Sequence, residues 1–522
     1  MSKYLPCFIA LLCGAILTLS FAPFSHWWIT PLSLTCLFFI YLQKQPNGFW
    51  YGLSFGLGWF GAGISWVHVS IADFGGLPLA GSLALMLLLS AYLALFPALF
   101  FILLSKYQRR FPLLLTAMPL WWILEWLRSW FLTGFPWLSL GYSQIGGPFS
   151  GFAPIIGESG ISVLLVISSL WLAQHLCHKH KPENLTASIA KTVIPTVFLF
   201  CLGYLLTFVD WVSKDNNAPT ITMVQGNIKQ ELRWIPEQDK PTMEKYLQLT
   251  EPHWDSDFII WPEAAIPKLE PLAQDYLYRL DKRARAANTA LVTGIVNYNF
   301  ETAQAFNNLI VVGNEQQREE SDKATEASEG YRYLHANRYA KHHLLPIGEF
   351  IPLESWLRGL APIFDLPMSS FSRGDYRQTN LNVNGWQLAP AICFEIAFPR
   401  QIRANIHSTT DFIITVSNDA WFGRSHGPAQ HLEIAQMRAL EMGLPIIRAT
   451  NNGITAFINH RGAIVKAAPQ FEDAVIRHSL TTTSGMTPYR YWGDALLWLF
   501  TAICVSLALW QARNYRKEIV AE

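Results

Sequence analysis

Pro390-Ala391-Ile392-Cys393-Phe394-Glu395 is the stretch on which the reading of this chain turns. An apolar run, residues 388–393, reads as a strand, and a helical pattern follows from residue 398. Such a strand-to-helix elbow exposes the Cys393 side chain and brings backbone amides close to it. An elbow of this kind is expected to lower the thiol pKa. The remaining cysteines, Cys7, Cys13, Cys36, Cys177, Cys201 and Cys504, lie in or beside apolar segments. Cys393 therefore has no disulfide partner in the polar part of the chain. A lone thiol is more often a small buried hydrophobe than a nucleophile, so its company has to decide.

Two charged residues supply that company. Asp257-Phe258-Ile259-Ile260-Trp261-Pro262-Glu263 is an apolar strand stopped by proline, which leaves the Glu263 carboxylate at the strand's edge. Beside a thiol it could serve as a general base; alone it would read as a turn residue or helix cap. In the run from Arg338 to Phe350, Lys341 precedes Glu349 by eight residues, with Pro346 and Gly348 between them. A fixed ammonium there could stabilise an oxyanion. His342 and His343 are adjacent and lack a third ligand at workable spacing, so no metal is expected.

Composition places this chemistry at a membrane. Of 522 residues, 51% are hydrophobic and only 15% charged, with 21 Trp and 33 Phe. A net charge of +1 and the lack of a basic stripe speak against nucleic-acid binding. Apolar runs at 5–21, 29–42, 49–71, 77–104, 111–132, 161–176, 192–209 and 492–510 give about eight transmembrane helices, the short second one open to a re-entrant reading. Lys3, Lys44, Lys106, Arg109, Arg110, Lys179, Lys181, Arg513, Arg516 and Lys517 fall in alternate loops, while the turns near Ser25, Asp73 and 134–158 carry no Lys or Arg. Both termini are then cytoplasmic and the polar domain is exported. The first apolar run has a poor cleavage site after it and reads as retained.

The expected organisation is a helical membrane domain over 1–210, an exported α/β domain over 215–490, and a final helix with a cytoplasmic tail over 491–522. Within the exported domain, strands are expected at 220–225, 258–261, 290–295, 307–312, 388–393, 412–417, 446–450 and 455–458, and helices at 237–249, 272–287, 398–406 and 428–442. That alternation predicts a layered α/β fold. Residues 315–330 read as an acidic surface loop. Between Gly359 and Gly374 the apolar Leu360, Ile363, Phe364, Leu366, Met368 and Phe371 suit either a lid that touches the bilayer or a small satellite core. Glu125 and Arg128 are spaced to pair on one helix face, as a structural pair or a substrate contact.

The order Glu263, Lys341, Cys393, with Trp-Pro-Glu at the first and Cys-aromatic-Glu at the last, resembles the Glu-Lys-Cys triad of the nitrilase superfamily. The runs from Val224 to Ile228, from Trp261 to Pro267, from Lys341 to Pro352 and from Val416 to Gly423 look like those of apolipoprotein N-acyltransferases, as does the eight-helix architecture with a nitrilase-like domain before the last helix. The resemblance implies an α-β-β-α nitrilase-like domain in the cytoplasmic (inner) membrane of a bacterium, on the periplasmic side if the cell is Gram-negative. It implies transfer of an acyl chain from a phospholipid, through a thioester on Cys393, to the α-amine of a diacylglyceryl-cysteine on apolipoproteins, with no cofactor. Trp234, Glu349 and Glu395 fall on positions that the family uses to support the triad or its substrates. Phe394 stands where the family usually has tyrosine, so a hydroxyl role is lost while the backbone amide is kept. Two rival readings use the same residues: a membrane-tethered amidase or nitrilase that hands the thioester to water, and a lipid-binding or transport module with an inactive nitrilase-like domain. Oligomeric state is not legible.

Overall fold

The computed structural model describes residues 4–177, 185–233, 235–313, 330–346, 348–350 and 371–521. The chain divides into a helical unit, residues 1–211, 425–433 and 486–522, and an α/β unit, residues 212–424 and 434–485.

Among the described residues of the helical unit, three helices are long and apolar enough to cross a membrane: Leu79–Tyr107, Pro148–Cys177 and Ala495–Asn514. A fourth span arises if Gly48–Gly63 and Val67–Asp73, bent by 60°, act together. Leu5–Ser20, Ile29–Lys44 and Val193–Leu206 are apolar but shorter. Leu113–Arg128, at 16 residues, reaches about 24 Å against a hydrocarbon core of about 30 Å. The long helices are apolar on their outer faces as well, where Leu88, Leu176, Leu509 and Trp510 stay exposed. Leu5–Ile16 and Gly48–Gly63 approach closely because Gly14 and Gly58 face each other's helix. A Cβ on Gly14 would lie 2.1 Å from the Phe55 carbonyl oxygen, and one on Gly58 would lie 2.0 Å from that of Leu11.

Glu125 and Arg128 form a buried ion pair, and Arg128 Nη1 also donates to the carbonyls of Phe135 and Trp137. The pair thus fixes the loop after its own helix. Ser425–Glu433 belongs to the same unit. The indole N–H groups of Trp66 and Trp137 donate to Gln430 Oε1 at 3.1 and 2.8 Å, and Gln430 Nε2 donates to Gly63 O at 3.1 Å.

The strands of the α/β unit are β1 (Val212–Lys214), β2 (Thr220–Gln225), β3 (Phe258–Ile260), β4 (Ala290–Asn299), β5 (Gln304–Val312), β6 (Arg338–Ala340), β7 (Leu381–Val383), β8 (Trp386–Ile392), β9 (Phe412–Ser417), β10 (Ile446–Thr450), β11 (Ala456–Ile458), β12 (Ile464–Ala467), β13 (Ala474–Ser479) and β14 (Thr483–Gly485). Among the described residues these strands form two six-stranded sheets, ordered β13-β2-β3-β4-β5-β6 and β12-β11-β10-β9-β8-β7, with β1 and β14 as a separate pair. Each sheet has a parallel centre, β2-β3-β4 and β8-β9-β10, flanked by antiparallel edges. Of these, β3, β9 and β10 are buried throughout, and burial on both faces accounts for apolar runs such as Phe258-Ile259-Ile260 and Phe412-Ile413-Ile414.

Between the sheets lies one core: Ile221, Met223, Phe258, Ile260 and Val292 from the first meet Leu388, Ile392, Ile414, Val416 and Ile447 from the second. On the outer face of the first sheet, Met243 and Tyr246 of Pro236–Thr250 and Leu277, Leu280 and Ala284 of Gln274–Ala286 pack against Ile259, Trp261, Leu291 and Ile310. On the second sheet, Pro399–Ala404 lies against β8, and Gly427–Met442 reaches the turn before β12 through Gln436 Nε2 and Gly462 O, 2.8 Å apart. These are the layers of the expected α/β fold. All eight expected strands are present; β1, β6, β7, β12, β13 and β14 were not foreseen. The acidic stretch expected at 315–330 lies outside the described residues except for Gly330.

Candidate active site

Strand ends deliver the three expected residues to one place. β3 runs into Trp261, whose N–H continues the ladder to Val292 O at 2.9 Å, and Pro262 then breaks the pairing. The turn at Glu263 presses against β4 at Gly294, where a Cβ would lie 2.2 Å from the Ala264 nitrogen. Arg233 secures the turn from the other side by donating through Nη2 to the carbonyls of Glu263 and Ala264, at 2.6 and 2.8 Å. The Glu263 carboxylate is consequently held and buried. Oε1 accepts from Asn307 Nδ2 at 2.8 Å, and Oε2 accepts from the Asn418 N–H at 2.9 Å.

Lys341 follows β6, and its backbone N–H donates to Asn307 O at 2.8 Å. The ammonium is 1% exposed and lies between two carboxylates, 2.8 Å from Glu349 Oε2 and 3.6 Å from Glu263 Oε1. Burial works against this charge, but Glu349 and Glu263 outweigh it and hold the Lys341 pKa above the ordinary lysine value. Glu349 is fixed in turn by Asn307 Nδ2 at 3.0 Å and by the Leu345 N–H at 2.8 Å.

Cys393 closes the group. It terminates β8 with φ of +54°, the left-handed region that a non-glycine residue enters at a cost of about 1–3 kcal/mol, and a tight turn over Cys393–Ala397 follows. The elbow expected from the sequence is therefore present, with its strain on the cysteine. Its sulfur feels the charges of Glu263, Lys341 and Asp419, and the register of β8 on β9, Ile392 opposite Val416, sets it beside Ser417. The expected lowering of the thiol pKa is corrected by this geometry. Burial first, then the Glu263 carboxylate, push it up to about 12, against the pull of Lys341. The resting group is a thiol, and a base has to take its proton.

Glu395 is buried beneath the elbow. Its oxygens accept from the N–H groups of Ile392, His342 and His343 at 2.8, 2.9 and 3.0 Å, from Tyr339 Oη at 3.0 Å and from Gln401 Nε2 at 2.7 Å. One carboxylate thereby stitches the cysteine turn to the lysine segment. Phe394 is buried against Phe398 and the His343 ring, at 5.0 and 6.0 Å between centroids. Trp234, Leu360, Phe364 and Leu366 lie outside the described residues. Phe371, at the far end of the apolar loop, donates its N–H to Glu349 O at 2.9 Å. No group of three metal-ligating side chains occurs among the described residues.

Asn307, the Asn418 N–H and Arg233 were not singled out by the sequence reading. For Asn307 a signal existed: Asn307 and Asn308 are consecutive polar residues in an otherwise apolar strand, and both are buried. The roles of the Asn418 amide and of Arg233 depend on main-chain positions that leave no trace in residue type.

Two facing mixed sheets, with a glutamate, a lysine and an elbow cysteine brought together at their strand ends, define a carbon-nitrogen hydrolase type of domain. The Carbon-nitrogen hydrolase family model matches residues 220–488, and the Apolipoprotein N-acyltransferase N-terminal domain model matches residues 13–171. Apolipoprotein N-acyltransferases are similar over almost the whole chain: that of Vibrio vulnificus (strain CMCP6) is 48% identical, covering 96% of each chain, and that of Haemophilus influenzae (strain ATCC 51907 / DSM 11121 / KW20 / Rd) is 37% identical, covering 99% of this chain and 97% of its own. The chain belongs to the apolipoprotein N-acyltransferase family.

Proposed function

We propose that this enzyme N-acylates apolipoproteins, taking the acyl chain from a membrane phospholipid and carrying it as a thioester on Cys393. The observation that carries the mechanism is the buried Lys341 ammonium, paired with both Glu263 and Glu349 beside the strained Cys393 turn. Glu263 takes the thiol proton and the sulfur attacks the ester carbonyl carbon. Lys341 and backbone amides hold the resulting oxyanion. As the ester C–O bond breaks, the leaving oxygen takes the proton from Glu263 and departs as a lysophospholipid. The α-amine of a diacylglyceryl-cysteine then attacks the thioester carbon, Glu263 accepts the amine proton, and the released thiolate recovers it. Glu349 keeps Lys341 in place, and Glu395 holds the cysteine turn against the lysine segment.

Both substrates are lipid-embedded, which is the reason for joining the catalytic domain to a membrane domain. The reading includes about eight spans, with domain limits near 1–210, 215–490 and 491–522, termini in the cytoplasm and catalysis on the periplasmic side of a bacterial inner membrane. The reading takes the loop bearing Leu360, Phe364, Leu366 and Phe371 as a lid that guards the acyl site, and Trp234 and Phe394 as residues that support the triad or bind its substrates.

The test follows labelled acyl chains from phospholipid in the presence of a diacylglyceryl-cysteine peptide. Label on the peptide amine, lost in Cys393→Ser, is the expected result. Label released as free fatty acid at the same rate with or without peptide would instead make the enzyme a hydrolase.

A further inference from the structure

Behind the Cys393 sulfur runs a chain of hydrogen bonds that the steps above do not use. Ser417, the last residue of β9, donates through Oγ to Asp419 Oδ1 at 2.5 Å. Asp419 Oδ2 accepts from Arg448 Nη2 of β10 at 2.6 Å. All three side chains are buried, and the parallel register of β8 on β9, with Ile392 opposite Val416, sets Cys393 beside Ser417, whose hydroxyl favours the charged form of the sulfur. The next backbone N–H, that of Asn418, donates to Glu263 Oε2, so a single strand end serves both the nucleophile and its base.

A serine hydroxyl has one hydrogen to give. Here a carboxylate and a sulfur compete for it. While Cys393 is a thiol, it can offer its own hydrogen to Ser417 Oγ, and the hydroxyl hydrogen stays on Asp419. Once Glu263 has taken the thiol proton, the sulfur is an acceptor only. Rotation about the Ser417 Cβ–Oγ bond then turns the hydroxyl toward the new anion, while Arg448 keeps the Asp419 charge paired. No bond to Ser417 breaks. The proton moves only between sulfur and Glu263.

We infer that Ser417 is a catalytic hydrogen-bond donor to the Cys393 thiolate, with Asp419 and Arg448 as positioning residues that hold its hydroxyl until the thiol proton leaves. The inference rests on Cys393 being the nucleophile. The donor acts twice per turnover, when the thiolate first forms and again when the amine expels it from the thioester.

The experiment uses the full-length protein in detergent, with the rate of Cys393 alkylation by iodoacetamide read from its peptide mass at several pH values. Ser417→Ala should slow alkylation roughly tenfold at every pH below the thiol midpoint, as expected for loss of a hydrogen bond to a charged group. The melting temperature should fall by several degrees at most, the cost of one buried hydrogen bond to Asp419. Asp419→Asn should speed alkylation instead, because it removes a negative charge facing the sulfur and releases the hydroxyl. A Ser417→Ala rate within about twofold of wild type, or slower alkylation in a folded Asp419→Asn protein, would each overturn the inference, as would a slowing accompanied by loss of the cooperative melting transition. If Asp419→Asn does not fold, the Ser417→Ala rate and melting temperature decide alone. Acyl transfer surviving in Cys393→Ala would instead sink the nucleophile reading itself.

Discussion

Replacing Lys341 by methionine separates what this residue does for the fold from what it does for the reaction. The methionine keeps the length of the side chain but leaves Glu349 and Glu263, 2.8 and 3.6 Å from the lost ammonium, with no cation between them. Removing one partner of a buried ion pair typically costs about 3–5 kcal/mol. At about 2–4 °C per kcal/mol for a domain of this size, the melting temperature should fall by about 10 °C. Adding Glu349→Gln should recover most of the lost stability, since one of the two stranded charges is then gone. Activity should not follow. Without the ammonium the oxyanion lacks a donor, a loss of roughly a hundred- to a thousandfold in rate. Differential scanning fluorimetry and single-turnover acyl transfer on wild type, single and double variants provide both readouts. Unchanged melting in Lys341→Met, or turnover near wild type in the double variant, would refute the assignment of Lys341 as both ion-pair partner and oxyanion donor.

Other expectations follow from the same geometry. Glu263→Gln keeps the hydrogen-bonding shape but removes the base, so single-turnover measurements should show both thioester formation and transfer to the amine slowed; a normal rate in either half would assign that proton elsewhere. Gln430→Leu removes the acceptor shared by Trp66 and Trp137, worth about 1–3 kcal/mol, and should lower the melting temperature; an unchanged value would mean that these indole contacts do not contribute. Serine at Phe364 and Leu366 should weaken use of bilayer phospholipid while leaving melting and Cys393 alkylation nearly unchanged. A clear fall in melting with normal phospholipid use would make the loop a small core instead, since burying each such side chain is worth about 1.5–3 kcal/mol.

The central strands were legible because burial on both faces forces continuous apolar runs, as in Phe258-Ile259-Ile260 and Phe412-Ile413-Ile414. Short edge strands were not. β6 and β7 have three residues each, and β12 is exposed along its whole length, so no periodic pattern distinguishes them from loop. The candidate site divides the same way. Glu263, Lys341 and Cys393 announce themselves by residue type at strand ends. The Asn418 amide and the twin use of Asn307 depend on which strands become neighbours. The direction of the thiol pKa is not legible for a related reason: the elbow is visible in sequence, but not that the sulfur is buried and that Glu263 then outweighs Lys341 beside it. In the helical unit, composition located the apolar segments, yet Leu113–Arg128 and the shorter helices show that apolar length alone does not fix a count of spans.

Acyl transfer by this route requires an acyl group carried on Cys393, which intact-mass analysis with peptide mapping detects. The purified protein incubated with phospholipid and no acceptor should gain the mass of one acyl chain, mapped to Cys393, and should lose it when a diacylglyceryl-cysteine peptide is added, with the same mass appearing on the peptide amine. A protein that transfers acyl chains to the peptide at full rate while never carrying an adduct on Cys393 would contradict the account.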